Sequence, residues 1–257
     1  MLPKEKLQEE MENAILWIKE YVKNAKAKGI VIGNSGGKDS ATVLAMAVKA
    51  IGKENVVAVS MPCHSTLLDL EDAKLVANTF GVQNIEIDLS STYDTMEQEM
   101  NDKLLKVGKQ ELSKESTINI KPRLRMTTLY GIAQTLGYLV IGTGNLCEAM
   151  VGYTTKWGDN SSDFNPIANF TVEEVLAIGK ALGVPNKILE KAPNDGLGGQ
   201  TDEEKMGVTY SQIAEMIETG NTSEAAKQEI IKRNKASKHK RQLVPVYTFE
   251  RENFILS

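Results

Sequence analysis

The sequence predicts an α/β fold in which parallel strands form a central sheet and helices cover its two faces. Three observations support this class. Short, continuously apolar runs alternate with longer stretches in which apolar residues recur every three or four positions. Glycines stand at the ends of most of these segments, where the chain is expected to turn. Such alternation is typical of β-α-β units, because the chain must cross back, usually through a helix, before the next parallel strand can begin.

The predicted elements follow one another along the first half of the chain. The first helix spans residues 4–27 and has an apolar face made of Leu7, Met11, Ala14, Ile18, Val22 and Ala25. Short buried strands are predicted at residues 29–33, 56–59, 85–87 and 138–141. The helices between them are predicted at residues 40–51, 69–80, about 91–107 and 123–136. Residues 109–122 are polar and end in Pro122, which disfavours a helix interior, so a loop is expected there.

The second half predicts a helical extension of the same domain. Residues 151–170 have no clear periodicity, and the later helices are predicted at residues 171–182, 209–219 and 222–236. We expect one domain over residues 1–257. Its parts outside the sheet are an N-terminal helix at 1–28, a mobile loop at 192–208 rich in Gly, Asp and Asn, and a C-terminal tail at 235–257.

Composition restricts the classes of function. Hydrophobic residues make up 41% of the chain and charged residues 25%, as in an ordinary globular protein. No apolar stretch reaches the roughly 18 residues that a membrane span needs, and the N-terminus lacks a secretory core. The net charge of −4 argues against a broad nucleic-acid-binding surface. Cys63 and Cys147 lack a partner motif, so we expect a reduced, cytoplasmic protein. From the apolar stretches and the net charge, we expect it to bind neither membrane nor nucleic acid.

A glycine-rich loop between the first strand and the following helix predicts phosphate binding. Glycines let backbone N–H groups approach an anion closely, and the helix N-terminus adds partial positive charge. Ser35 and Ser40 can donate hydroxyl hydrogen bonds, and Asp39 can bind the magnesium that accompanies ATP. The residues expected to bind ATP are therefore Gly33, Asn34, Ser35, Gly36, Gly37, Lys38, Asp39 and Ser40.

The loop differs from two better-known phosphate-binding motifs. The Walker motif requires glycine where Ile32 stands, and Ser or Thr where Asp39 stands. The dinucleotide fingerprint G-x-G-x-x-G begins at Gly142 and Gly144 but has Cys147 in place of its third glycine. We therefore expect neither a γ-phosphate hydrolase loop nor a hydride-transfer site.

The pattern Ser-Gly-Gly-x-Asp-Ser at residues 35–40 resembles the loop of the ATP-pyrophosphatase superfamily. The resemblance implies a Rossmann-like three-layer sandwich of the adenine nucleotide alpha hydrolase type, with C-terminal helices. It also implies that the loop holds the pyrophosphate end of ATP and leaves the α-phosphate open to attack. ATP would then be cleaved to AMP and pyrophosphate.

Further motifs are similar to those of ammonia-dependent NAD synthetases. They are Gly142 to Glu148, Val151 to Asp159, Asp163 with Pro166, Asn119 with Arg123-x-Arg125, Gly199 to Glu203, and His239-Lys240-Arg241. The resemblance implies a ligase that forms a C–N amide bond in the last step of NAD biosynthesis. The carboxylate of deamido-NAD would be adenylated by ATP, and ammonia would then displace AMP. The resemblance also implies a homodimer with the deamido-NAD site at the subunit interface.

The resemblance implies a role for each matching position. Asp39 and Glu148 would bind magnesium, and Asp159 would lie near the ammonia, so these three are the expected catalytic set. Thr143 would contact ATP. The residues that would contact deamido-NAD are Arg123, Lys156, Asp163, His239 and Lys240. The structural alternatives are a helix-start carboxylate for Glu148, a solvated pair for Lys156 and Asp159, a surface charge for Arg123 and an unstructured tail for residues 239–241.

Two positions of the expected ATP site depart from the family pattern. Val172 stands where the family usually has a lysine on ATP phosphate, and Asn194 stands where it usually has Ser or Thr. Both positions are still assigned to the ATP site, but the first lacks the positive charge. We hypothesise that Lys38, inside the glycine loop, partly replaces it.

Two other functions are compatible with the loop. A tRNA-modifying enzyme of the same superfamily would adenylate a base, and it would be expected to have a basic surface and a Cys-x-x-Cys pair. An ATP-sensing module would bind the nucleotide without cleaving it; Asp39 and Glu148 argue against this function, and Val172 mildly favours it. Only 32 residues precede Gly33, too few for the amidase domain of glutamine-using relatives, so free ammonia or a separate donor protein is expected.

Overall fold

A computed structural model describes residues 1–191 and 201–247. Its centre is a four-stranded parallel sheet with the strand order β3-β2-β1-β4. The strands are β1 (Ile30–Gly33), β2 (Val56–Ser60), β3 (Gln83–Glu86) and β4 (Leu139–Val140). In the sheet, Ile30 of β1 is in register with Val56 of β2 on one side and Leu139 of β4 on the other. The predicted parallel α/β class is confirmed.

Helices precede, connect and follow the strands. In the described part of the chain they are α1 (Lys4–Asn24), α2 (Lys38–Ile51), α3 (Leu67–Phe80), α4 (Ser90–Lys106), α5 (Lys114–Leu136), α6 (Leu146–Val151), α7 (Val172–Ala181), α8 (Asn186–Leu189), α9 (Asp202–Met206), α10 (Tyr210–Thr219) and α11 (Glu224–Ala236), with 3-10 turns at Lys53–Asn55 and Lys238–Lys240. Every helix within residues 1–191 and 201–247 is too short or too polar to span a lipid bilayer.

Two apolar clusters cover the two faces of the sheet. Ile30 and Ile32 of β1 pack with inward side chains of α1, α2 and α7, whereas Val31 packs with α4 and α5 on the opposite face. This division follows from the pleat, because successive side chains of a strand point to opposite faces. Since both faces are covered, β1 reads as a continuous apolar run, and the result is a three-layer sandwich. A third cluster joins α6, α7, α9, α10 and α11 beside it.

Helix α5 begins at Lys114, so the predicted loop at 109–122 is wrong over most of its length. The Ser113 hydroxyl caps the helix by accepting a hydrogen bond from the Ser116 amide at 3.2 Å. Pro122 lies inside the helix and lacks a backbone donor. The missing hydrogen bond destabilises the helix, but tertiary contacts of the preceding turn outweigh this loss. Ile120 is buried in the cluster with α4, and the Asn119 side chain accepts a 2.7 Å hydrogen bond from the Thr155 hydroxyl.

Helix α9 lies where the sequence predicted the end of a mobile loop. Thr201 and Glu204 form a capping box, in which each side chain accepts a hydrogen bond from the other residue's amide, at 3.2 and 2.7 Å. Residues 192–200 of that predicted loop lie outside the described residues, as do residues 248–257 of the predicted C-terminal tail. At the other end of the chain, α1 ends at Asn24, and its buried face includes Ile15 rather than Ala14.

Candidate active site

A cleft of about 650 Å³ opens at the carboxyl ends of the strands. Ligands of open parallel sheets bind at this edge, because the loops that follow the strands meet there. The sequence also predicts that three polar segments that follow strands, 33–40, 60–68 and 142–148, converge on one face, because ligands of parallel sheets bind beyond the carboxyl ends of the strands. Each segment contributes residues to the lining of the cleft, which confirms that prediction. The remaining walls include parts of α3 and α5, residues 152–161, and Lys191, Asp202, Lys205, Arg233 and Lys240.

The glycine loop is docked on α3 by contacts that admit no side chain at Gly36. Gly36 has φ +72°, and a Cβ there would lie 2.7 Å from the Ala73 nitrogen and 2.8 Å from the Asp69 carbonyl oxygen. The buried Asn34 side chain donates to the Ala73 carbonyl at 2.8 Å and accepts from the Gly36 amide at 3.4 Å. The loop conformation is therefore fixed from both sides of Gly36.

The loop leaves donors for an anion at the start of α2. The hydroxyls of Ser35 and Ser40 are 2.9 Å apart, and the Gly37 amide donates to the Ser35 hydroxyl at 3.2 Å. No side chain caps the N-terminus of α2, so its first amides remain available to a ligand. Such amides, together with the helix dipole, favour phosphate groups.

Asp39 and Glu148 are joined through one buried residue, Asn145. The Asn145 side chain donates to Asp39 Oδ1 at 3.3 Å, and its backbone amide donates to Glu148 Oε2 at 2.9 Å. The second contact belongs to the capping box that begins α6. Burial and the nearby Asp39 carboxylate raise the pKa of Glu148, so a cation between the two groups would be strongly favoured.

The donor set suits magnesium with a phosphorylated ligand. In residues 1–191 and 201–247, no group of three or more His, Cys, Asp or Glu side chains could hold a metal ion. Magnesium usually takes only one or two carboxylates and completes its shell with water and substrate phosphates. The partly buried pair Asp39 and Glu148, which lines the same cleft as the glycine loop, fits that pattern.

Lys38 is directed into the site, whereas Val172 is not. The Lys38 ammonium lies 3.0 Å from Asp39 Oδ2 and 5.4 Å from the centre of the Tyr210 ring, and the side chain is only 10% exposed. Burial alone would lower the pKa of Lys38, but the charges of Asp39, Glu148 and Asp202 outweigh it and raise that pKa. Val172 packs in the apolar cluster of α6, α7, α9, α10 and α11 and does not line the cleft.

Of the other predicted ATP contacts, Thr143 lines the cleft and Asn194 lies outside the described residues. Asp159 and Lys240, one from the expected catalytic set and one from the acceptor set, also line the cleft. Asp159 Oδ1 accepts a 2.8 Å hydrogen bond from the Thr155 amide. Lys240 donates to the carbonyl oxygens of Gly152 and Thr154 at 2.9 and 2.5 Å.

Four residues predicted to contact deamido-NAD do not line the cleft of the single chain: Arg123, Lys156, Asp163 and His239. The exposed Arg123 guanidinium donates two hydrogen bonds to the Lys156 carbonyl oxygen, at 3.3 and 3.2 Å. The Asp163 carboxylate accepts hydrogen bonds from the Val140 amide at 2.7 Å and from the Tyr130 hydroxyl at 3.3 Å. It thereby connects β4 to α5.

Arg125 lines the cleft, although the sequence interpretation gave it no role of its own. Its Nε donates to the Met61 carbonyl at 3.1 Å, and within the described residues it has no carboxylate within ion-pair distance. A signal for it was present: the cleft-facing side chains of α5 are Ile118, Asn119, Pro122, Arg125, Met126 and Leu129, which recur at helical spacing. That stripe is hidden when the helix is predicted to begin only at residue 123.

Comparisons with known proteins agree with this arrangement. The chain matches the NAD synthase family model over residues 10–249. The NH(3)-dependent NAD(+) synthetase of Carboxydothermus hydrogenoformans is 41% identical over 240 residues, which are 93% of this chain and 97% of the relative. Among solved structures, an NMN synthetase from Francisella tularensis has TM-score 0.87 and 33% identity, with coverage of 95% and 99%. An NH3-dependent NAD synthetase from Campylobacter jejuni, in complex with nitrate, has TM-score 0.76 and 27% identity, with coverage of 94% and 99%.

Proposed function

Because the chain belongs to the NAD synthase family, we propose that it amidates deamido-NAD with ammonia and cleaves ATP to AMP and pyrophosphate. It is a ligase that forms a C–N amide bond in the last step of NAD biosynthesis. The observation that carries the proposal is the Asp39–Glu148 pair, joined through Asn145 and placed beside a phosphate-binding loop in one cleft.

The chemistry requires two anions to meet. A carboxylate resists ammonia until one of its oxygens becomes part of a leaving group. The nicotinate carboxylate of deamido-NAD therefore attacks the α-phosphorus of ATP, which forms an acyl adenylate and releases pyrophosphate. Ammonia then attacks the acyl carbon, and AMP leaves with the former carboxylate oxygen. The protein contributes position and positive charge, because it must hold both anions within reach of each other.

Residues of the glycine loop hold the pyrophosphate end of ATP in this proposal. Backbone amides at the start of α2 and the hydroxyls of Ser35 and Ser40 supply the donors. Asp39 and Glu148 would hold magnesium, which when bound supplies charge neutralisation for the leaving pyrophosphate. Loss of pyrophosphate release in EDTA, with recovery on adding magnesium, is the expected result; activity that persists in EDTA would contradict the magnesium assignment.

Arg125, Asp159 and Lys240 form the acceptor end of the cleft. The Arg125 guanidinium carries its charge without a carboxylate partner among the described residues, and its planar fork matches a carboxylate or a phosphate. We assign Arg125 to the place where the acceptor carboxylate meets the α-phosphate. Asp159, beside Lys240, is assigned to the incoming ammonia or ammonium.

A homodimer would explain why Arg123, Lys156, Asp163 and His239 lie outside the cleft of one chain. If a second copy covers this surface, their predicted contacts with deamido-NAD become interface contacts. Light scattering of the purified protein is expected to give twice the 28.2 kDa chain mass. A monomer that is fully active at all concentrations would contradict this proposal.

One assay tests the function and its main alternative. Purified protein is incubated with ATP, ammonium and either deamido-NAD or nicotinate mononucleotide, and AMP, pyrophosphate and the amide product are measured. The mononucleotide is included because the NMN synthetase of Francisella tularensis has the higher TM-score, 0.87 against 0.76 for the Campylobacter jejuni enzyme. We expect the higher kcat/KM with deamido-NAD. A tenfold preference for the mononucleotide would make NMN synthesis the function instead.

The RNA-modifying alternative is not favoured, because the family match and the relatives cited above are synthetases of nicotinamide nucleotides. Pyrophosphate release that required tRNA would restore it. Since ATP is the co-substrate, we also propose that the enzyme works in the cytoplasm. Cell fractionation with detection of the protein tests this location.

A further inference from the structure

We propose that Lys38 is a displaceable counter-cation of the metal site: its ammonium neutralises Asp39 in the free protein and moves to an ATP phosphate when the metal binds. The inference rests on the proposed function in that the arriving ligand is a metal–ATP complex. Its basis is the 3.0 Å contact between Lys38 Nζ and Asp39 Oδ2 in a pocket where both side chains are largely buried, at 10% and 17% exposure.

Both oxygens of Asp39 already have partners. Oδ2 forms an ion pair with the Lys38 ammonium, and Oδ1 accepts a 3.3 Å hydrogen bond from the Asn145 side chain. A divalent cation that binds Asp39 meets the ammonium of Lys38 on the same carboxylate, and the two positive charges repel each other strongly in a poorly solvated site.

Lys38 is the partner that can move. Asn145 is 1% exposed, and the capping box of α6 fixes it through its own amide and side chain. The Lys38 ammonium is attached through a flexible four-carbon stem, and it also lies 5.4 Å from the centre of the Tyr210 ring. Rotation of the stem moves the charge without disturbing α2.

In this proposal the phosphates of the arriving ATP accept the displaced charge. Lys38 is the first residue of α2 and belongs to the loop that holds them. Lys191, a second lysine at the cleft, differs because it binds two carboxylates, Asp69 at 2.9 Å and Asp72 at 2.8 Å, and neither belongs to the metal site. A metal therefore competes with Lys38 and not with Lys191.

If Lys38 exchanges Asp39 for an ATP phosphate, the metal and ATP should bind cooperatively. A metal ion alone must displace Lys38 from Asp39 without giving it a new partner. A metal ion that arrives with ATP brings the phosphates that accept the charge. Binding of each ligand therefore strengthens binding of the other, and the coupling depends on the ammonium of Lys38.

The test compares Lys38→Met with Lys49→Met in the full chain. Lys49 is an exposed residue at the other end of α2, so its substitution removes the same charge from the same helix. Free Mn²⁺ is measured by electron paramagnetic resonance, with and without α,β-methylene-ATP, which cannot be cleaved. Binding of the analogue is measured by calorimetry with and without Mn²⁺.

For Lys38→Met we expect Mn²⁺ alone to bind about fivefold more tightly and the analogue to bind about tenfold more weakly, with a coupling factor reduced at least about fivefold. Lys49→Met should match the wild type in all three quantities. Opposite shifts of the two affinities are the signature, because a purely structural lysine would weaken both.

Unchanged or weaker Mn²⁺ binding by Lys38→Met would overturn the proposal. If that variant does not fold, as judged by circular dichroism, Lys38→Gln is measured against the same criteria. The measurements need no acceptor, so they are independent of the amidation assay. A protein that fails to amidate deamido-NAD or the mononucleotide refutes the proposed function, whereas a protein that amidates without the coupling refutes only this inference.

Discussion

The two ends of the cleft are built in different ways. The phosphate end consists of a strand-to-helix turn and of a capped helix start. Asn34 fixes the turn by hydrogen bonds to the carbonyl oxygens of Ala73 in α3 and Val59 in β2, and Asn145 connects the helix start to Glu148 and Asp39. The acceptor end is assembled from α5, from residues 152–161 and from the turn at Lys238–Lys240. At the phosphate end, seven of the eight loop positions assigned to ATP from one contiguous motif line the cleft, and the eighth, Gly36, packs on α3. At the acceptor end, four of the five predicted contacts lie outside the cleft of the single chain.

The difference shows what a motif can specify. A turn between a buried strand and a buried helix is constrained by both elements, so the order of its residues determines which groups face the ligand. On a helix that overhangs the sheet, a shift of two residues turns the side chain by about 200°. Arg123 and Arg125 differ by that shift, and only the second faces the cleft.

The largest expected effect is at the phosphate end. Glu148→Gln keeps the amide contact that begins α6 but removes the charge that would hold magnesium. We expect kcat to fall on the order of 10³-fold, which corresponds to about 4 kcal/mol. Pyrophosphate release in single-turnover experiments measures it, and Glu173→Gln, an exposed carboxylate in the first turn of α7, is the control. A loss below tenfold would remove Glu148 from the metal site.

The acceptor end is tested by comparing two arginines. Arg125→Gln should reduce kcat/KM for the acceptor about 30- to 100-fold, because an unpaired guanidinium at the reacting anions contributes about 2–3 kcal/mol. Arg123→Gln, which loses hydrogen bonds to one carbonyl oxygen, should cost less than Arg125→Gln, because Arg123 would reach the acceptor only across a dimer interface. The reverse order would show that a surface outside the single-chain cleft carries the acceptor site.

Packing of the glycine loop on α3 is tested at two neighbouring glycines. Gly36→Ala should destabilise the protein by about 2 kcal/mol or more, because its φ is +72° and the new Cβ would lie within 2.8 Å of the α3 backbone. Gly37→Ala should cost under about 1 kcal/mol, since its φ is −93° and the nearest atom, Ser35 Oγ, is 3.2 Å away. Urea unfolding distinguishes them, and equal losses would contradict the docking described for Gly36.

The smallest expected effect concerns the carboxylate beneath the loop. Asp72 is 1% exposed and forms ion pairs with Lys187 at 2.7 Å and Lys191 at 2.8 Å. Burial would raise the pKa of Asp72, but the two lysines outweigh it and lower that pKa below its usual value. Asp72→Asn should therefore cost about 1–2 kcal/mol at neutral pH.

The pH dependence of that loss has a defined sign. A carboxyl group whose pKa is lower in the folded protein than in the unfolded chain stabilises the fold above the unfolded value. The difference between wild type and Asp72→Asn should be complete above about pH 5 and shrink as the pH falls below about 4. Urea unfolding at several pH values measures it, with the exposed Asp102→Asn as control. A difference that grows in acid would contradict the lowered pKa.

Local sequence determined the sheet, the glycine loop, the meeting of three strand-end segments and the family. Each of these depends on periodicity, glycines or contiguous motifs, which are short-range properties of a chain. Tertiary structure alone decided that α5 runs through Pro122, that Arg125 rather than Arg123 faces the cleft, and that Val172 is packed among apolar side chains. Tertiary structure also decided that the Lys38 ammonium forms an ion pair with Asp39 Oδ2. These outcomes depend on contacts between residues far apart in sequence. The burial and charge of those contacts outweigh the local preference for helix or loop, and a local sequence pattern does not contain that information.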